Sequence, residues 1–418
     1  MKGFLWRCAA ALGLVLVVAC TPTPTVPSST TSTSTSSTTT TTAPPADPAQ
    51  VAVGPTYACA ITPEHLVKCW GRNDSGQLGN GTMTDSSTPV QVLGLTDVES
   101  ISAAEPAGSF GATTTCAVRG DGTAWCWGSN SVGTVGSGPA EAVVTAPQQV
   151  ANLTDVEQVS VGNVHACART ADGAAHCWGW GIDGRLGDGD VSNTVHPVPV
   201  QLPGFSDVVD IAAGTYHSCL VRGDGTVWCW GSNGSGQLGT GDLEDSQTPV
   251  QVTGISDAVT VGIGESSTCA LRSTGEVACW GWNGAGELGS GTTEWSLTPV
   301  PVAGVSDATA ISVGARTACA RSITGVVRCW GSDRSGAMGQ GSTATARPIP
   351  VVVPGTGAAD VVSINGQWHF GSTGPVLGQR DVACVASGPV VRCAGSNEFG
   401  QLGNGTTEDS DVLVDVAL

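Results

Sequence analysis

The sequence predicts an all-β fold, a seven-bladed β-propeller, and three observations carry that prediction. The stretch CWGRNDSGQLGNG at residues 69–81 returns in variant form from Cys126, Cys177, Cys229, Cys279, Cys329 and Cys393, so the chain is built of units about 50 residues long. Every copy opens on the second member of a cysteine pair whose partner stands nine or ten residues upstream. Each unit also holds four short runs of small or β-branched residues, separated by Gly, Pro, Asn and Asp. Units of this size bury their apolar faces against their neighbours, and four short strands per unit around a ring make a propeller.

The first strand of a unit ends in glycine: VAVG (51–54), VSVG (159–162), IAAG (211–214), VGIG (261–264) and ISVG (311–314). Small residues suit the crowded centre of a ring. A hairpin follows. In CALRSTGEVACW (269–280) the turn Ser273-Thr274-Gly275 sets Cys269 opposite Cys279. Opposed non-hydrogen-bonded positions bring Cα atoms to about 4.5 Å, at the short end of disulfide geometry. The same reasoning pairs Cys59 with Cys69, Cys116 with Cys126, Cys167 with Cys177, Cys219 with Cys229, Cys319 with Cys329 and Cys384 with Cys393. Zinc ligands stand two to four residues apart with a second pair nearby, which this spacing does not supply. The pairs therefore read as one structural disulfide per blade, and no metal site is expected.

In the CWG that ends the hairpin, the tryptophan on the face opposite the cysteine is expected to fill the wedge between blades. The glycine lets the chain leave the strand tightly, and the Leu or Met of the G-x-L-G tail dips back as a plug. The outermost strand is TPVQV (88–92, 248–252) or TPVPV (298–302), and a turn carrying Asp97, Asp155, Asp207, Asp257 or Asp307 leads to the next unit. The last segment, Val412 to Val416, aligns with Thr88 to Val92, which predicts a C-terminal strand beside the N-terminal blade, sealing the ring.

These residues resemble the regulator of chromosome condensation repeat family. The order V-x-x-I-x-x-G, C-A-L, G-x-V-x-C-W-G, G-Q-L-G, P-V-x-V matches it over residues 51–416. The resemblance implies a propeller and no particular ligand, because the family's propellers bind different partners. Its eukaryotic founder is a guanine nucleotide exchange factor on chromatin. A bacterial branch with a secreted or lipoprotein life-style, distantly like the β-lactamase inhibitory propeller, suits this chain better.

That life-style is read from the N-terminus. Lys2 and Arg7 precede an apolar run that ends at Ala19, too short to span a bilayer and laid out as an export signal over residues 1–19. Val17-Val18-Ala19-Cys20 resembles a lipobox, which makes Cys20 the lipidated first residue of the mature chain. Residues 20–49 are nearly all Thr, Ser and Pro, a stalk of up to about 90 Å at ~3.1 Å per residue. The propeller is expected over 50–418, displayed at a bacterial cell surface or secreted, with the lipid as its only membrane contact and as a monomer. Without residues 1–19 the chain carries 14 basic against 35 acidic residues, a net −21, and that surface repels nucleic acid.

The repeated residues are structural, so function is sought where the repeat is broken. Unit 2 has an excess in 103–116 and unit 7 in 365–384, both between the first strand and the cysteine hairpin, so both project from one face. Phe110, Trp368, His369 and Phe370 are the candidate binding residues there. His165, His217 and His369 each stand third after a glycine and are expected to bond their own turns. Trp180, Trp282 and Trp295 lie outside the repeated core and are candidate exposed stacking surfaces. Six scattered histidines and the lack of any H-E-x-x-H, G-x-S-x-G or phosphate loop argue against an enzyme, and no cofactor is implied. The expected function is a surface-tethered propeller that binds an extracellular or cell-envelope protein. An inhibitor of an extracellular enzyme such as a β-lactamase, and a glycan-binding or carbohydrate-active propeller, are the alternatives.

Overall fold

A computed structural model describes residues 50–104, 113–139, 141–357, 359–369 and 377–418, with side chains omitted at 364–369 and 377–380. Cys20, the stalk, Phe110 and Phe370 lie outside the described residues. Seven four-stranded antiparallel sheets make up the fold, each in sequence order from the innermost strand outward. Blades 1 to 7 span 50–91, 98–149, 156–201, 208–256, 258–301, 308–352 and 361–415. Among the described residues the helical turn Ile182–Gly184 is the one departure from strands and turns.

The cysteine hairpins form as the spacing predicts. Cys59 faces Cys69 in register and the same holds in every blade, giving seven disulfides with Cα atoms 4.0–4.1 Å apart. The approach is closer than the ~4.5 Å of an ordinary opposed pair because the bridge draws the strands together. The glycine of CWG is forced. Gly71 has φ +105°, and an added Cβ there would come 2.5 Å from the Thr56 carbonyl.

The tryptophans hold the blades to one another. Each indole is fully buried, and its N–H donates to the backbone carbonyl of the residue before the plugging Leu or Val in the preceding blade. Trp127 reaches Gln77, Trp178 reaches Thr134, Trp230 reaches Arg185, Trp280 reaches Gln237 and Trp330 reaches Glu287, at 2.8–2.9 Å. Blade 7 has Ala394 in the tryptophan slot. Leu413 replaces the usual outer-strand proline there and packs with Met338 of blade 6, so two longer aliphatic side chains take up the missing volume.

Ring closure comes where the sequence places it, with the C-terminal segment beside the N-terminal blade, and it is made by packing rather than by strand pairing. The C-terminal strand Ser410–Asp415 pairs with Val390–Gly395 of its own blade and with no strand of blade 1. Blade 1 already has all four of its strands, so it has no vacancy to fill. The seam is closed by packing instead. Trp70 donates to the Gln401 carbonyl at 2.9 Å across 331 residues, and Val416 and Leu418 join Val51, Val53 and Trp70 in one apolar cluster. At the centre, a side chain of one blade caps the inner strand of the next: Ser102 Oγ accepts from the Val161 N–H and Ser160 Oγ from the Ala213 N–H, each at 3.0 Å. These caps surround an axial cavity of about 230 Å³.

Candidate binding face

In a four-stranded meander, the connection after the first strand and the connection after the third open on the same side. Both repeat-breaking insertions fall in the first of these, so the described chain leaves and rejoins the ring on one face at each of them. In blade 7 the insertion begins as a lengthened hairpin. Its first two strands, Val361–His369 and Leu377–Ser387, run nine and eleven residues, where the corresponding strands elsewhere have four to six. The hairpin carries the backbone of Trp368 and His369 beyond the rim, with His369 opposite Leu377. In blade 2 the described chain stops at Ala104 and resumes at Thr113.

His369 does not share the slot of His165 and His217. Those two face the glycine of their own CWG (Gly179, Gly231), and the blade 7 residue facing Gly395 is Val382. Gly366 lies inside the extension rather than at the end of a normal strand, which misaligned the count. His165 and His217 close their own turns through the backbone, their carbonyls accepting from the Gly162 and Gly214 N–H at 2.9 and 3.0 Å, while their side chains bond across blades. His165 Nε2 lies 2.7 Å from Ser218 Oγ, and His217 Nε2 lies 2.7 Å from Thr268 Oγ1, because both rings point into the wedge between blades. Tyr57 takes the same route in blade 1, where it meets Thr115 at 3.0 Å.

A serine 2.7 Å from a histidine invites a nucleophile–base reading, and the hydrogen bonds reject it. Ser218 donates its own proton to the Arg185 carbonyl at 2.9 Å, and Thr268 donates to the Gln237 carbonyl at 2.9 Å. Each imidazole must therefore donate through Nε2–H, the reverse of what a general base does. Both rings are fully buried, which holds His165 well below the ordinary imidazole range and pushes His217 down to about 3, with Arg185 adding to the effect. They are neutral fasteners between blades. Among the described residues no group of three or more His, Cys, Asp or Glu side chains is placed to hold a metal ion.

The structure adds residues that sequence reasoning passed over. The variable residue of G-x-L-G is buried, and in blade 3 it reaches the first turn of the next blade. In blade 3 it is Arg185, buried, with its guanidinium donating to the carbonyls of Ile182 and Thr215 and to Asp183. In blade 5 it is Glu287, whose carboxyl is pushed up to about 7, chiefly by burial. The signal was present: Arg and Glu stand where three other units carry Gln77, Gln237 and Gln401. Of the three candidate tryptophans, Trp282 and Trp295 are 42% and 48% exposed. Trp180 is partly buried, and its indole N–H donates to the Asn193 carbonyl at 2.9 Å.

Comparison with known proteins agrees with this architecture. A profile of the RCC1-like domain matches residues 109–370, and profiles of the regulator of chromosome condensation (RCC1) repeat match 66–106 and 49–77. The human E3 ubiquitin-protein ligase HERC2 is 34% identical over 179 residues, 42% of this chain and 4% of that protein. The Arabidopsis thaliana ultraviolet-B receptor UVR8 is 29% identical over 185 residues, 44% of this chain and 41% of the receptor. The chain thus spans less than half the length of either relative. Among solved structures, Saccharomyces cerevisiae Prp20p superposes with a TM-score of 0.71 at 19% identity, covering 89% of this chain and 86% of that one. Yeast RCC1 (Prp20) bound to Kap60 gives 0.70 at 18%, covering 89% and 84%. Human WBSCR16 gives 0.69 at 21%, covering 84% and 95%.

Proposed function

Because the chain belongs to the RCC1 repeat family, we propose that it is a non-enzymatic protein-binding propeller, tethered at an outer cell surface through Cys20 and the stalk, whose partner is an extracellular or cell-envelope protein. The observation that carries this reading is the blade 7 hairpin: it lengthens two strands past the rim on the face where the blade 2 insertion also leaves the ring. The two blades flank blade 1, and the longer insertion carries Trp368 and Phe370, aromatic residues of the kind that dominate interfaces. The seam histidines support a binding role over catalysis, since their protons point the wrong way for a base. Prp20p, a structural neighbour, has been studied for its binding to Gsp1p and histones, which accords with protein binding as the family's habit.

The test is capture from a cell-envelope fraction with the intact protein and with the pair Trp368→Ala and Phe370→Ala. One stoichiometric protein partner that the double variant loses supports the reading. A captured hydrolase whose activity falls on binding makes the protein an inhibitor. Capture that is indifferent to both substitutions places the interface elsewhere and sinks the proposal.

A further inference from the structure

Chain length marks the departures in blades 2 and 7, and residue identity marks a third at the seam of blades 5 and 6. Glu265 stands where the turn after the first strand has Pro55, Asn163, Thr215 or Ala315 in other units. Trp282 stands where blades 4 and 6 have Ser232 and Ser332 and blade 3 has Trp180, and Arg316 stands where blades 1 and 3 have Thr56 and Val164. A repeat tolerates such side chains on its surface singly. Here they converge.

Glu265, Trp282 and Arg316, with Ser235 and Ser266, line a cavity of about 140 Å³. Arg316 Nε lies 3.4 Å from Glu265 Oε2, and the two turns that carry them are joined by the Glu265 N–H donating to the Ala315 carbonyl at 3.2 Å. The Trp282 backbone N–H is bonded to the Ser266 carbonyl at 2.8 Å. Its indole rests against Gly284, where an added Cβ would come 2.8 Å from the ring, yet it remains 42% exposed. A flat apolar wall therefore stands beside a carboxylate, a guanidinium and two serine hydroxyls.

The charges choose among ligands. Glu265 and Arg316 neutralise each other, so an entering lysine or arginine would meet Arg316, and an anion would meet Glu265 on a chain of net charge −19. Neither ion is favoured. A neutral molecule with an apolar face and neighbouring hydroxyls uses every element: its C–H face lies on the indole, and its hydroxyls donate to the carboxylate and accept from the guanidinium. The cavity is small, about 140 Å³, and suits a single ring-sized group. We infer that this cavity is a glycan subsite that takes one neutral pyranose residue, stacked on Trp282 and hydrogen-bonded by Glu265 and Arg316. It is lined by blades 4 to 6, on the face where the chain of blades 7 and 2 also leaves the ring, and it rests on side chains outside both insertions.

The test is saturation-transfer NMR on the intact protein with four probes: methyl β-glucoside, methyl β-galactoside, methyl α-mannoside and N-acetylglucosamine. At least one is expected to receive saturation, strongest on its ring C–H protons. Trp282→Ala should weaken that binding by about tenfold, the loss of one stacking contact worth ~1.4 kcal/mol. Arg316→Ala should also weaken it, whereas Trp295→Ala, which removes an exposed tryptophan of the same loop, should not. An unchanged thermal midpoint for Trp282→Ala shows that the loss is local. Silence from all four sugars overturns the inference. So does a signal that survives Trp282→Ala, and so does Trp282-dependent binding of acetyl-lysine amide in place of the sugars.

Discussion

Replacing Glu287 by Gln should stabilise the protein at neutral and alkaline pH and leave it unchanged in acid. The substitution keeps the packing, because the same slot already holds glutamine in three other blades. Gln77, Gln237 and Gln401 each accept the backbone N–H two residues back at 2.8–2.9 Å, as Glu287 accepts that of Ala285 at 2.7 Å. What changes is the charge. Burial raises the Glu287 carboxyl from the ordinary 4.5 to about 7. Below 4.5 the carboxyl is protonated in both states and costs nothing; between 4.5 and 7 the folded protein keeps a proton that the unfolded chain has released, so stability falls as pH rises. Above the folded value the cost is complete, about 3 kcal/mol at ~1.4 kcal/mol per pH unit. Guanidinium titrations at about pH 4 and pH 8, with disulfides intact and tryptophan fluorescence as the signal, read the difference between variant and parent. The expected gain is about 3 kcal/mol at the higher pH and close to none at the lower. A gain of equal size at both, or a loss at the higher pH, would refute the assignment of a buried, proton-holding carboxyl at this seam.

The seam histidines predict the opposite slope. Burial depresses His217 from 6.5 to about 3, so its contribution is complete above 6.5 and is lost as pH falls toward 3. His217→Thr, which borrows the Thr317 solution of blade 6, should cost stability at pH 7, with that deficit about 2 to 3 kcal/mol smaller at pH 4. Deleting residues 411–418 removes the outermost strand of blade 7 together with Val416 and Leu418 from the closing cluster, and should lower the melting temperature sharply and promote aggregation; deleting 21–45 should do neither. Replacing Cys20 by Ser should release the protein into the medium or leave its leader uncut, as cell fractionation will show, because a hydroxyl cannot take the thioether lipid.

The number of blades, the pairing of the cysteines and the plugging leucines were all legible in the sequence. Each is a local property: Cys269 and Cys279 are joined by a tight turn, so their opposition follows from hairpin geometry, and sevenfold repetition makes the pattern unmistakable. The same regularity hid the chemistry. His165 reads as a turn residue until Ser218 of the next blade is laid against it, and Glu287 reads as a loop carboxylate until the first turn of blade 6 covers it. Aligning by glycine gave His369 a place that Val382 occupies, because an insertion that lengthens a strand shifts the count without breaking the pattern. The contacts that close the ring were the other matter reserved to the tertiary structure. Trp70 and Gln401 stand 331 residues apart, and only the curvature summed over seven blades brings the last one against the first. Sequence determines what lies within one unit, where turns limit the geometry; partners in the next unit are chosen by how blades stack, which no single unit encodes.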